Sequence, residues 1–210
     1  MVYDNTKTET RQMILTSTKE NIARIVCEVQ NGGVCAVPAD TVYGLVALAS
    51  SAKKVYALKG RDKSVPLLYN VPSLAAMKKV AKLSKLEEEL VRTYMPGELT
   101  LALRVREGLE IPTADDGTIG IRIPSGASIR YVLRKIGEPL ISTSANKSGH
   151  PPALSAKDTQ ETFPHLLILD SEENLSGIPS TIAKVEKGKV NILRQGKVKV
   201  KVKFLGRATS

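Results

Sequence analysis

Apolar runs of strand length recur along almost the whole chain, and helix-spaced stretches or turns separate them. VCAVP (34–38), VALA (46–49), PLLY (66–69), TLALRV (100–105), Thr118 to Ile123, PLIST (139–143) and HLLILD (165–170) are the strand candidates, the last apolar enough for a central strand. Ile22, Ile25, Val26 and Val29 recur at helical spacing behind the capping-box spacing of Ser17 and Glu20, and Gly32-Gly33 stops that helix. Ser51 to Lys59 puts Val55 and Leu58 on one helical face. Ser73 to Lys82 and Ser84 to Tyr94 read as two more helices, the second with its glutamates at the start, where the helix dipole favours them. Ile129, Val132 and Leu133 mark a helix ending near Gly137. ADTVYGL reads as a turn, MPGEL as a helix breaker, and STIAKV with KVNILR as a hairpin around Lys187-Gly188. Strands and helices interleave without strict βαβ regularity, so the expected fold is α/β with a mixed, twisted sheet. No repeat, low-complexity segment or linker divides the sequence. The expectation is one domain over 1–210, with a core from about 15 to 196 and a basic tail over 197–210.

Composition narrows the partners. Lys and Arg total 31 against 21 Asp and Glu, a formal net charge of +10 that favours nucleotides, RNA or acidic membranes without choosing among them. The two cysteines, Cys27 and Cys35, lie far from either histidine, which argues against a zinc site and for two buried thiols in a reducing compartment. The first ten residues are polar, and no stretch reaches membrane-spanning length. These features predict a soluble, cytoplasmic protein with no membrane partner. The tail KVKVKVKF alternates strictly, so Lys197, Lys199, Lys201 and Lys203 would share one face of a terminal edge strand, guarding it or contacting phosphates.

Four segments carry polar residues where core-building does not ask for them: Pro38 to Gly44, Lys59-Gly60-Arg61, Arg122 inside an apolar strand, and Ser142 to Gly149. Each follows or ends a regular element, where α/β proteins place their sites. Singly, each also fits a structural role: a neutralised helix C-terminus, a surface ion pair, a cap or an ordinary turn. Together they supply cations for phosphate and carboxylate, with hydroxyls and backbone N–H groups for phosphate oxygens. No Walker-type loop, GxGxxG or GxSxG is present. His165 reads as structural, and His150 has no partner that spacing identifies. Positioning and electrostatic stabilisation fit these residues better than histidine acid–base chemistry.

The ordered set PADTVYGL, YALKGR followed by PL, MPGELTL, TIGIRIP, PLISTSANKSGHPP, IPSTI and ILRQG resembles the YrdC-type threonylcarbamoyl-AMP synthase family, from about Gly32 to Gly196. The resemblance implies a twisted α/β domain with a concave basic cavity. It implies a nucleotidyltransferase that converts L-threonine, bicarbonate and ATP to threonylcarbamoyl-adenylate and pyrophosphate. A separate transferase then passes the group to tRNA. By the same resemblance Lys59 and Arg61 are catalytic and hold phosphates. Thr41, Arg122, Ser142 and Ser180 take threonine, with Arg122 gripping its carboxylate bidentately. Arg61, Thr118, Ser144, Asn146 and Arg194 take ATP, and Mg2+ rides on the ATP phosphates. The chain departs from many relatives at Ala39-Asp40, at Asp62, at Asn70 where some carry a histidine near threonine, and at Pro152 where some carry a serine near ATP. Two other readings are a non-catalytic protein of this fold that binds tRNA or double-stranded RNA, which eight Phe and Tyr and no Trp support poorly, and carbamoyl-adenylate chemistry for metallocentre maturation.

Overall fold

The computed structural model describes residues 13–109 and 111–201. Ten strands form one mixed sheet with helices against it. In chain order the strands are β1 (Ile14–Thr16), β2 (Cys35–Pro38), β3 (Tyr43–Leu48), β4 (Leu68–Asn70), β5 (Leu99–Arg104), β6 (Thr118–Arg122), β7 (Leu140–Ser144), β8 (Leu167–Asp170), β9 (Thr181–Glu186) and β10 (Lys189–Arg194). The helices are α1 (Lys19–Gln30), α2 (Ala52–Lys59), α3 (Leu74–Val80), α4 (Lys85–Tyr94), α5 (Ala127–Ile136) and α6 (Ala156–Thr162). The order across the sheet is β1-β8-β2-β3-β7-β4-β6-β5-β9-β10, with parallel and antiparallel neighbours mixed.

Side-chain alternation decides where this sheet is covered. One face carries Leu45, Tyr69, Leu99, Leu101, Leu103, Ile119, Ile121, Ile141 and Ala183, packed with Val55, Met77, Leu90, Val91 and Ala156 from α2, α3, α4 and α6. On the opposite face, Leu15, Cys35, Val37, Val46, Leu140, Leu167 and Leu169 pack against Ile22, Ile25 and Val29 of α1 and Ile129, Val132 and Leu133 of α5. That second helical layer stops at β7. Beyond it the same face presents Asn70, Ala102, Thr118, Gly120, Arg122, Ile182 and Lys184, and a cavity lies on them.

Several sequence expectations shift. The cap of α1 is Thr18, whose side chain accepts from the Asn21 backbone; Ser17 instead meets Ser128 Oγ at 3.1 Å, tying α1 to α5. Tyr43-Gly44-Leu45 is strand, not turn, because β3 pairs on both sides, with β2 and β7. The strand from HLLILD sits one place in from the sheet edge, between β1 and β2. β1 and α6 carried too few apolar residues to stand out. Cys27 is exposed and only Cys35 is buried. Residues 197–201 form no ladder: Thr181 Oγ1 donates to the Val198 carbonyl, and Lys201 N donates to Tyr94 Oη, so bonds to neighbouring segments take the place of an edge strand. The alternation survives, with Lys197, Lys199 and Lys201 exposed and Val198 and Val200 half-buried. Lys203 lies outside the described residues. Elsewhere the reading holds: α4 carries Glu87 and Glu88 in its first turn, where Ser84 and Glu87 also close a capping box that the sequence reading did not name, and Gly137 ends α5 in the left-handed conformation.

Candidate functional site

The cavity holds about 570 Å³ and is lined by Thr41, Arg61, Asn70, Thr118, Arg122, Ser142, Ser144, Ser180 and Arg194 among others. Its floor is low because the strands carry small residues there. A Cβ on Gly120 would stand 2.3 Å from Leu68 Cδ2 and 3.3 Å from Thr100 Cγ2, so any side chain at 120 would fill the space. A β-bulge between Ile192 and Arg194 brings both Leu193 and Arg194 to the cavity, which regular alternation would not do.

Three guanidinium groups therefore share one wall system. Burial lowers the Arg194 pKa first, followed by the nearby charges of Arg122 and Arg61. Burial likewise lowers that of Arg61. Arg61 is braced by the carbonyls of Val65 and Pro66, at 3.3 and 3.1 Å, and Arg194 by the Ser180 carbonyl, at 3.1 Å from Nε and 2.8 Å from Nη2. Ser180 Oγ meets Thr100 Oγ1 at 2.8 Å.

Arg122 is already paired inside the protein. Its Nη2 donates to Asp40 Oδ1 at 2.7 Å and its Nε to Asn70 Oδ1 at 3.3 Å. Nη1 and Asn70 Nδ2 are buried and have no hydrogen-bond partner. Nε and one N–H of Nη2 are spent inside the protein, so the end of the guanidinium, Nη1 with the second N–H of Nη2, is what remains for a carboxylate. Unpaired buried donors cost roughly 1–3 kcal/mol each, which favours an acceptor entering at this point.

Lys59 stands differently from the expectation. It is 2% exposed, does not line the cavity, and donates from Nζ to Ser144 O (2.6 Å), Asn146 O (2.8 Å) and Asn146 Oδ1 (3.0 Å). Burial, and then the charge of Arg61, push its ammonium down to about 8. Asn146 is absent from the lining as well. Its Oδ1 accepts from Ser144 Oγ at 2.6 Å, and its Nδ2 donates to the carbonyls of Lys147 and His150. Both side chains shape the loop that presents Ser144. The structure thus gathers Thr41, Arg61, Thr118, Arg122, Ser142, Ser144, Ser180 and Arg194 on the cavity and leaves Lys59 and Asn146 behind it.

Sequence reasoning missed Asp40 and the rim group of Asp116, Lys184 and Glu186 as site residues. Lys184 Nζ lies 2.8 Å from Asp116 Oδ2 and 2.6 Å from Glu186 Oε1. Bonds from Lys184 and Thr118 hold the Asp116 carboxyl down at about 2. Even-numbered polar residues along β5, β6 and β9 were the available signal, because a strand whose second face is neither apolar nor fully solvent-like borders something other than a helix.

Among the described residues no helix is long and apolar enough to cross a membrane, and no three His, Cys, Asp or Glu side chains converge on a metal position.

Residues 28–196 match the model of the Sua5, YciO and YrdC family, which carries the description "Telomere recombination". The Mus musculus protein named threonylcarbamoyl-AMP synthase is 33% identical over 84% of this chain and 67% of its own length. A Methanocaldococcus jannaschii protein named putative threonylcarbamoyl-AMP synthase is 32% identical over 82% of this chain and 84% of its own. Among solved structures, P. abyssi Sua5 complexed with L-threonine superposes with a TM-score of 0.81 at 28% identity, over 88% of this chain. The present chain spans 57% of that one. With the match running through most of the sequence, this chain belongs to the Sua5/YciO/YrdC family.

Proposed function

We propose that this chain is a threonylcarbamoyl-AMP synthase that uses ATP, L-threonine and bicarbonate and releases pyrophosphate. The observation that carries this reading is one cavity lined by Arg61, Arg122 and Arg194 together, with a buried unpartnered donor on Arg122 and another on Asn70 beside it in the lining. A carboxylate and a polyphosphate are the two anions such an arrangement suits side by side.

In this reading threonine seats its carboxylate on Arg122 and Asn70, with Thr41, Ser142 and Ser180 around the rest of the molecule. Its carboxylated amine, N-carboxythreonine, directs a carbamate oxygen at the α-phosphorus of ATP. The new O–P bond forms as the bond from the α-phosphorus to the bridging oxygen breaks, and pyrophosphate leaves with that oxygen. Arg61 and Arg194 offset the charge that builds on the phosphoryl group and the leaving group. Thr118 and Ser144 offer hydroxyls to the nucleotide. Lys59 and Asn146 act through the Ser144 loop.

Mg2+ fits as an ion carried on the ATP phosphates and water, where it neutralises triphosphate charge. Asp116 and Glu186 are the carboxylates in the cavity lining, and Lys184 already pairs with both. The product's use in tRNA modification requires a separate transferase and suits a cytoplasmic protein, as do Cys27 and Cys35, neither of which forms a disulfide. The formal charge of +10 suits direct contact with tRNA as well.

The test is pyrophosphate release from ATP with each substrate omitted in turn. Release requires L-threonine and bicarbonate jointly. ATP binding without that joint dependence contradicts the proposal.

A further inference from the structure

Asp40 stands where three loops cross. Its backbone oxygen accepts from Ser176 N at 3.1 Å. Its Oδ2 accepts from Ser125 N and Ser125 Oγ, each at 2.8 Å, and its Oδ1 accepts from Arg122 Nη2 at 2.7 Å. The side chains of Arg122 and Asp40 are 6% and 7% exposed. A carboxylate held by three donors in a dry place has no freedom to swing away when a ligand arrives. Nor does Arg122 have freedom to present its Nε side, because Nε is spent on Asn70 and one N–H of Nη2 on Asp40.

We propose that Asp40 is a positioning residue that turns Arg122 end-on, so that Nη1 and the remaining N–H of Nη2 meet the carboxylate of the amino-acid substrate. This rests on the synthase reading and deepens it. Asp40 touches no reacting atom. It selects which edge of the guanidinium is offered and thereby fixes the distance and angle of the carboxylate.

The chemistry of the side chain gives the test its direction. Asparagine has one acceptor oxygen and a donor nitrogen. In Asp40→Asn, the new amide N–H faces either Ser125 N or Arg122 Nη2, a donor against a donor, and the guanidinium loses its fixed orientation. If Asp40 instead merely competed for Arg122, its removal would free Nη2 and tighten carboxylate binding. The two accounts predict opposite signs.

The experiment measures dissociation constants of L-threonine, L-threoninol and ATP by calorimetry on the full-length wild-type, Asp40→Asn and Asp40→Glu proteins. L-Threoninol keeps the side chain and amine but lacks the carboxylate. In Asp40→Asn, L-threonine binding weakens about tenfold or more while L-threoninol and ATP stay within about twofold, the loss expected when one charge-assisted contact is misaligned. Asp40→Glu keeps both acceptor oxygens and keeps the preference for L-threonine over L-threoninol. It gives this result even where Asp40→Asn yields no folded protein. Unchanged or tighter L-threonine binding in Asp40→Asn overturns the assignment. So does a parallel loss of all three ligands with a lowered melting temperature, which marks a purely structural residue. A wild-type protein that binds L-threonine no better than L-threoninol overturns the synthase reading itself.

Discussion

At the scale of single residues, Lys59 is a buried cation spent on the loop that carries Ser144 rather than on the cavity itself. Its three N–H groups match three acceptors on the Ser144–Asn146 loop. Burial pushes its pKa down to about 8, with help from Arg61, so the match belongs to the charged form below that pH. Above it the neutral amine has two protons for three acceptors, and the loop loses one tie. ATP affinity in the wild type is therefore expected to fall as pH rises through about 8. Lys59→Met is expected to bind ATP about tenfold more weakly at every pH, with no such step, because each lost charge-assisted bond is worth roughly 1.5–3 kcal/mol. Titration of ATP binding from pH 6.5 to 9.5 on both proteins checks this, and a step of equal size in Lys59→Met would remove Lys59 as its source. The sequence carried the position of Lys59 but not its direction. A lysine ending a helix reads the same whether it points at solvent, at a ligand or at a neighbouring loop. Arg122 was legible as an anomaly inside an apolar strand, whereas its partner Asp40 is 82 residues away and nothing local joins them.

At the scale of elements, β6 sets the depth of the site. Thr118, Gly120 and Arg122 alternate on the cavity face while Ile119 and Ile121 go into the core. Gly120→Val would push Leu68 aside and raise the floor between the cations and the rim. The expected result is a folded protein, destabilised by about 1–3 kcal/mol as in other overpacked sites, that loses ATP binding at least about tenfold. Circular dichroism melts with nucleotide titration check both parts, and wild-type ATP affinity in Gly120→Val would mean that the floor is not where the nucleotide lies. Most elements were readable, since β2, β4, β5, β6, β7 and the β9–β10 hairpin show clear period-two or apolar runs and α1, α4 and α5 clear helical ones. Those missed lack that contrast. β1 is three residues long and α6, AKDTQET, buries only Ala156 and Thr159. Residues 197–201 show the converse failure: a regular alternation with no partner strand among the described residues, where hydrogen bonds to Thr181 and Tyr94 hold the chain instead.

At the scale of the molecule, the site exists because one helical layer is shorter than the sheet it covers. α1 and α5 close the face over β1, β8, β2, β3 and β7, and the strands beyond stay open. Cations from the α2–β4 connection, from β6 and from the β10 bulge reach that opening from three sides. The positive cavity follows from this arrangement more than from the total charge, since the rim pairs Lys184 with Asp116 and Glu186. If the proposed function holds, this opening joins an amino acid, a one-carbon acid and a nucleotide in one covalent product. Incubation with carbon-labelled bicarbonate, ATP and L-threonine follows that joining step by step. Label is expected in one product containing threonine and AMP in equal amounts, formed together with pyrophosphate. Consumption of ATP with all label left in the bicarbonate pool would mean that no such product forms.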